Sequence, residues 1–128
     1  MTEHTKARNY SIAVDFDGVI HSYTSPWVAA DVIPDAPVPG AIEWLNSMRS
    51  GFRIIIFTTR GKTPEGREAV KRWLGAYGFE CSREDVTAEK PPALIYLDDR
   101  AVRFDGEHFP TADQIHREFV PWNKRRPT

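Results

Sequence analysis

Disulfides, membrane spans and an excess of one charge are all missing from this chain of 128 residues. A single cysteine, Cys81, excludes an internal disulfide, and no apolar run approaches the ~20 residues that a membrane-spanning helix needs. The 17 basic and 18 acidic side chains leave a net charge of −1, which excludes a polyanion binder that relies on bulk charge. No charged and apolar leader opens the sequence. We expect a cytoplasmic protein with no membrane association.

Short apolar runs at residues 10–14, 53–57 and 93–97 lack internal alternation. Runs of this kind indicate strands buried on both faces, as in parallel sheets covered by helices. Helical patterns at residues 40–50 and 63–78 lie between them. The order predicts an α/β fold, namely an open, doubly wound three-layer sandwich with a mainly parallel central sheet. We expect one domain over residues 1–128, with polar tails at about 1–8 and 123–128.

Local signals delimit the helices. Gly51 is predicted to end the first helix as its C′ glycine. The second helix is predicted to begin with Thr63 as N-cap and Pro64 at the first helical position, and to end at Gly78. A capping box begins a last helix at Thr111.

Other signals concern strands and loops. Residues 19–38 are rich in proline and aromatic side chains and predict a hairpin-like flap. A short strand is expected near Val86. The pair Asp105-Gly106, bracketed by apolar residues, predicts a two-residue hairpin.

Polar side chains follow each of the three apolar runs. In an open parallel sheet these strand ends meet at one edge, where ligands bind. Carboxylates that converge there repel one another unless a cation lies among them, and all-oxygen ligands favour Mg²⁺ over zinc. The residues concerned are Asp15, Asp17, Thr58, Thr59, Arg60, Asp98 and Asp99.

A phosphoryl group suits such a site. A cation and Lys90 would neutralise its charge, the Thr58 hydroxyl would hydrogen-bond its oxygens, and a carboxylate would attack the phosphorus. Thr59 is the alternative to Thr58 as the hydroxyl at this strand end. Arg60 is either a contact to the substrate phosphate or an ion-pair partner of the acids.

The residues resemble a known family. Four segments, in this order, look like the four motifs of the haloacid dehalogenase (HAD) superfamily, and the resemblance spans roughly residues 10–106. The segments are Asp15-Phe16-Asp17-Gly18-Val19, Ile54-Ile55-Ile56-Phe57-Thr58, Lys90, and Leu94-Ile95-Tyr96-Leu97-Asp98-Asp99. The resemblance implies a Mg²⁺-dependent phosphomonoesterase that works through an aspartyl-phosphate.

The resemblance also implies a role for each position. Asp15 would be the nucleophile, and Asp17 the acid that protonates the leaving oxygen and then the base that activates water. Thr58 would bind the phosphoryl oxygens, and Lys90 would hold nucleophile and phosphate together. The Mg²⁺ ligands would be Asp15, the backbone carbonyl of Asp17 and Asp98, with Asp99 acting through a water. Thr59 and Arg60 are candidate substrate contacts.

The substrate stays open within that class. Neither gap between the motifs is long enough for a cap domain, so the chain resembles a capless member with an accessible site. We expect a phosphorylated small molecule or nucleotide as substrate, and leave nucleic-acid contact and oligomeric state open. The alternatives are a polynucleotide end-processing phosphatase, similar in its Asp98-Asp99-Arg100 segment, and a receiver-like phospho-acceptor signalling domain.

Overall fold

The computed structural model describes residues 10–119. Within these residues the chain forms four strands: β1 (Ser11–Asp15), β2 (Arg53–Phe57), β3 (Val86–Thr87) and β4 (Ile95–Leu97). Three α-helices accompany them in the same range: α1 (Ala41–Met48), α2 (Pro64–Ala76) and α3 (Ala112–Glu118). Short 3₁₀ turns lie at Thr59–Lys62 and Arg83–Asp85. None of the helices in the described part of the chain is long and apolar enough to cross a membrane.

The strands form one parallel sheet in the order β3-β2-β1-β4. Ile12 of β1 lies beside Ile54 of β2, and Val14 lies beside Ile56, so four branched side chains share one face. Helices α1 and α2 cover that face with Leu45 and Leu74 and with further residues of one buried cluster. The fold is therefore α/β, as predicted, the sheet that was expected to be mainly parallel is parallel throughout the described residues, and the strand near Val86 is confirmed.

Helix α2 begins and ends where the local chemistry predicts. Thr63 Oγ1 accepts the amide N–H of Gly66 at 3.1 Å, and Pro64 occupies the first turn. At the other end Gly78 has φ +105°, and the N–H of Phe79 reaches back to the Leu74 carbonyl at 2.9 Å. The capping box at Thr111 is also present.

Two expectations about turns are wrong. Gly51 is not among the residues with positive φ, and α1 instead ends through Arg49, whose N–H donates to the Leu45 carbonyl. No hairpin forms at Asp105-Gly106, because the Asp105 carboxylate accepts the backbone N–H groups of Glu107 and His108 and closes an isolated turn. The flanking residues are exposed and pair with no strand in the described chain.

Strand β4 departs from the burial that its sequence predicts. Ile95, Tyr96 and Leu97 are 48%, 41% and 40% exposed, whereas the middle of β1 is buried. β4 is an edge strand and, in the described chain, contributes no residue to the buried cluster under α1 and α2, whereas the other edge strand, β3, buries Val86 in that cluster. An apolar run without alternation therefore does not establish burial on both faces here.

The flap at residues 19–38 is hairpin-like only at its base. The N–H of Val38 donates to the Ile20 carbonyl at 2.7 Å, and the N–H of Ser22 donates to the Ala36 carbonyl at 3.0 Å. Farther out, no strand is formed in this segment. The predicted polar tails at 1–8 and 123–128 lie outside the described residues.

Candidate functional site

Three carboxylates lie together at the carboxyl ends of β1 and β4. Asp15 is the last residue of β1, and Asp98 and Asp99 directly follow β4. One oxygen of each carboxylate lies within 4.8 Å of the others. Parallel pairing of β1 with β4 brings these ends together, because Val14 lies beside Leu97.

A tight turn after β1 makes room for this cluster. The Phe16 carbonyl accepts the N–H groups of Ile20 and His21 at 3.0 and 2.9 Å, which folds the chain back within five residues. Gly18 has φ +93°, and a Cβ at that position would lie 2.4 Å from Asp99 Oδ2. Only glycine therefore fits both the backbone and the acid that packs against it.

The cluster is electrostatically incomplete. Burial, together with a hydrogen bond to Asp99 and the charges of Asp98 and Asp99, raises the pKa of Asp15 to about 8. Asp99 Oδ1 is buried and has no hydrogen-bond partner. An orphaned oxygen among three acids fits a hard divalent cation, which would satisfy that atom directly or through a bound water and stabilise the ionised carboxylates.

Asp17 lies two residues from Asp15 in opposite surroundings. Arg60 Nε donates to both of its carboxylate oxygens, at 2.9 and 3.1 Å. His21 Nδ1 lies 2.8 Å from Asp17 Oδ1, and the side chain of His21 is fully buried. The predicted ion pair of Arg60 is therefore with Asp17, while its direct contact to a substrate stays a prediction.

The two threonines after β2 differ in burial. Thr58 is buried, its N–H donates to the Thr87 carbonyl of β3, and its Oγ1 accepts the N–H of Arg60 at 3.2 Å. Thr59 is exposed. Both threonines line a cavity of about 300 Å³, which Asp15 and Asp17 also line.

Lys90 reaches the site from the other side. It lines a cavity of about 730 Å³ together with Asp15 and Asp98. Its Nζ lies 4.7 Å from the centre of the Tyr96 ring, and within residues 10–119 it forms no salt bridge with an acid. Asp15 thus stands where two cavities meet, with the ammonium near one and the aromatic flap near the other.

Residues from all four predicted motifs therefore line the two cavities at one sheet edge. Sequence reasoning missed His21, whose buried imidazole contacts Asp17. The signal that was available is its position four residues after Asp17, within the same turn.

No protein-family model matches the chain, and neither the curated proteins nor the solved structures contain a match.

Proposed function

We propose that this protein is a phosphomonoesterase that requires a divalent cation, with Mg²⁺ the best fit, and that it belongs to the HAD superfamily. The observation that carries the proposal is the cluster of Asp15, Asp98 and Asp99 with its orphaned buried oxygen. Bound Mg²⁺ would be held by Asp15, Asp98 and the Asp17 carbonyl, with Asp99 acting through a water. It would offset the charge of the acids and of a phosphoryl group.

The chain's own residues supply the rest of the reaction. An Asp15 oxygen attacks the phosphorus, the bond to the leaving oxygen breaks, and Asp17 donates a proton to that oxygen. Water then attacks the aspartyl-phosphate, Asp17 takes its proton, and the bond between phosphorus and Asp15 breaks to release phosphate. Thr58 and Lys90 would hold the phosphoryl oxygens, which agrees with their places on the two cavities.

A doubly wound three-layer sandwich also follows from the proposed family membership. It needs a helical layer on the sheet face that carries Ala13, Ile55 and Tyr96. In the described chain both longer helices contribute to the opposite face, so the third layer stays a prediction.

Two other functions would use the same acids. One is removal of a phosphate from a nucleotide or an oligonucleotide end. It is favoured by two aromatic rings and a cation in the cavity beside Asp15, namely Tyr23, Trp27 and Arg100. A receiver-like signalling domain would instead store the phosphoryl group on Asp15. The position of Asp17 beside the cavity supports turnover over storage, because an acid–base group shortens the life of an acyl-phosphate.

The test is phosphate release from sugar phosphates, nucleotides and 3′- or 5′-phosphorylated oligonucleotides, with Mg²⁺ or with a chelator. Wild type is compared with Asp15→Asn and with Asp113→Asn, an exposed acid on α3 that serves as a matched control. We expect metal-dependent release that only Asp15→Asn abolishes. Full activity in Asp15→Asn would refute the phosphatase, and a phosphoryl-protein that persists for hours would favour the receiver.

A further inference from the structure

Arg60 is the most deeply buried charged side chain at this edge of the sheet, 1% exposed. Burying a guanidinium is costly unless its N–H groups are satisfied. Nε is satisfied by the Asp17 carboxylate, and Nη1 by three backbone carbonyls of the flap at 2.9 to 3.0 Å. Those carbonyls belong to Ala29, Ala30 and Val32. One side chain thus joins the flap to Asp17.

Trp27 completes the enclosure of Arg60. The guanidinium carbon lies 4.5 Å from the centre of the Trp27 ring, a cation–π distance. Trp27 is nevertheless 47% exposed, and it lines the cavity that contains Asp15. A molecule bound in that cavity would contact the Trp27 ring, which packs against the Arg60 guanidinium that holds Asp17.

A second link joins the flap to the same carboxylate. The N–H of Asp35 donates to His21 Nε2 at 3.0 Å, so in this arrangement the ring proton is on Nδ1 and is donated to Asp17. Ser25, across the flap, donates to the Asp35 carboxylate through both its N–H and its hydroxyl, which fixes that loop. Both partners of Asp17 are therefore also partners of flap backbone.

We propose that Arg60 is a positioning residue that orients the Asp17 carboxylate and couples this orientation to the conformation of the flap at residues 19–38. The catalytic half of this inference rests on the proposed phosphatase, in which Asp17 transfers the proton. The structural half, a flap held through Arg60, does not. Substrate or a partner that displaces the flap would then change proton transfer without touching Asp17.

The leaving group separates this role from others. Nitrophenyl phosphate releases an anion that needs little protonation, whereas an alkyl phosphate needs the proton from Asp17. In Arg60→Gln we expect kcat/KM to fall ~100-fold for the alkyl phosphate and less than about fivefold for the nitrophenyl ester. The quantity kcat/KM is used because it reports the steps up to departure of the leaving group.

A measurement without turnover tests the structural half. Hydrogen exchange of the flap amides should speed up about tenfold or more in Arg60→Gln, while exchange in β1 stays unchanged. Arg53→Gln is the matched control, because Arg53 forms an exposed ion pair with Asp85 at the opposite end of β2. Arg60→Lys, which keeps the buried charge but cannot span both partners, replaces Arg60→Gln if the latter does not fold.

Each result decides the matter. An equal fall of kcat/KM for both esters would overturn the positioning role of Arg60. A raised KM would then indicate that Arg60 contacts the substrate directly, and a lowered melting temperature would indicate a purely structural role. Unaltered flap exchange overturns the coupling whatever the activity. If wild type shows no release that depends on Asp15, the proposed function and with it the catalytic half fall, and faster flap exchange would still support the coupling.

Discussion

Asp15 and Asp17 leave the same strand two residues apart, yet their surroundings are opposite. Asp15 faces two further acids, and its pKa is raised to about 8. Asp17 accepts hydrogen bonds from Arg60 and His21. The two sides of one turn therefore differ in chemistry. On one side, oxygen ligands lie together without a compensating positive charge; on the other, hydrogen bonds hold a single carboxylate in place.

Replacing each acid in turn should have the largest effect, because the two carboxylates have different proposed roles. If the proposed function is right, we expect Asp15→Asn to lower turnover by at least ~10³-fold and to form no phosphoryl-protein, because the proposed nucleophile is gone. Asp17→Asn should slow turnover by ~10²–10⁴-fold but accumulate a protein one phosphoryl group heavier, because the attacking water loses its proposed base. Rapid-quench mass spectrometry distinguishes the two. A phosphoryl-protein in Asp15→Asn would place the nucleophile elsewhere.

Gly18→Ala tests how tightly the turn is packed against the acidic side. The new Cβ would lie 2.4 Å from Asp99 Oδ2 at φ +93°. We expect the free energy of unfolding to fall by ~2–4 kcal/mol, because backbone strain and a steric clash both destabilise the fold. Mg²⁺ binding should also weaken.

Gly106→Ala is the matched control for that change. Its φ is +94°, but nothing lies within 4 Å of the added Cβ, so it carries the strain alone. Chemical denaturation of both variants should show the larger loss for Gly18→Ala. Equal losses would mean that the acid moves aside freely.

Features that depend on contacts between residues close in sequence were predictable, whereas features that depend on distant contacts were not. The caps at Thr63, Gly78 and Thr111 were predictable because their bonds join residues a few positions apart. The pairing of Asp17 with Arg60 spans 43 positions, and nothing in the sequence distinguishes an ion pair there from a substrate contact. The exposure of β4 depends on which strands the helices cover, which apolar content does not encode.

The stability of the fold should depend on pH and Mg²⁺ through the cluster of Asp15, Asp98 and Asp99. Because the pKa of Asp15 is about 8 in the fold against an ordinary 3.8, the native state binds more protons between these values. The metal-free protein should therefore lose stability as pH rises from about 4 to 8.

Mg²⁺ should reverse this loss, raising the melting temperature by a few degrees at pH 8 and by less at pH 5, where protons compete for the same oxygens. Differential scanning calorimetry with Mg²⁺ or a chelator measures the effect, and Asp15→Asn should remove most of it. An identical Mg²⁺ shift at both pH values would contradict a site built on Asp15.

Cys81, away from this edge, should show the smallest effect. Burial raises the pKa of its thiol to about 11, so the thiol stays protonated at pH 8 and reacts slowly with alkylating reagents. It lines a separate cavity of about 650 Å³ with Arg49 and Phe79 and contributes nothing to either acid. Mass spectrometry after iodoacetamide treatment should show slow labelling of native protein and fast labelling in urea. Phosphatase activity should be unchanged in Cys81→Ser, and a loss of activity there would mean that the two regions are coupled through the sheet.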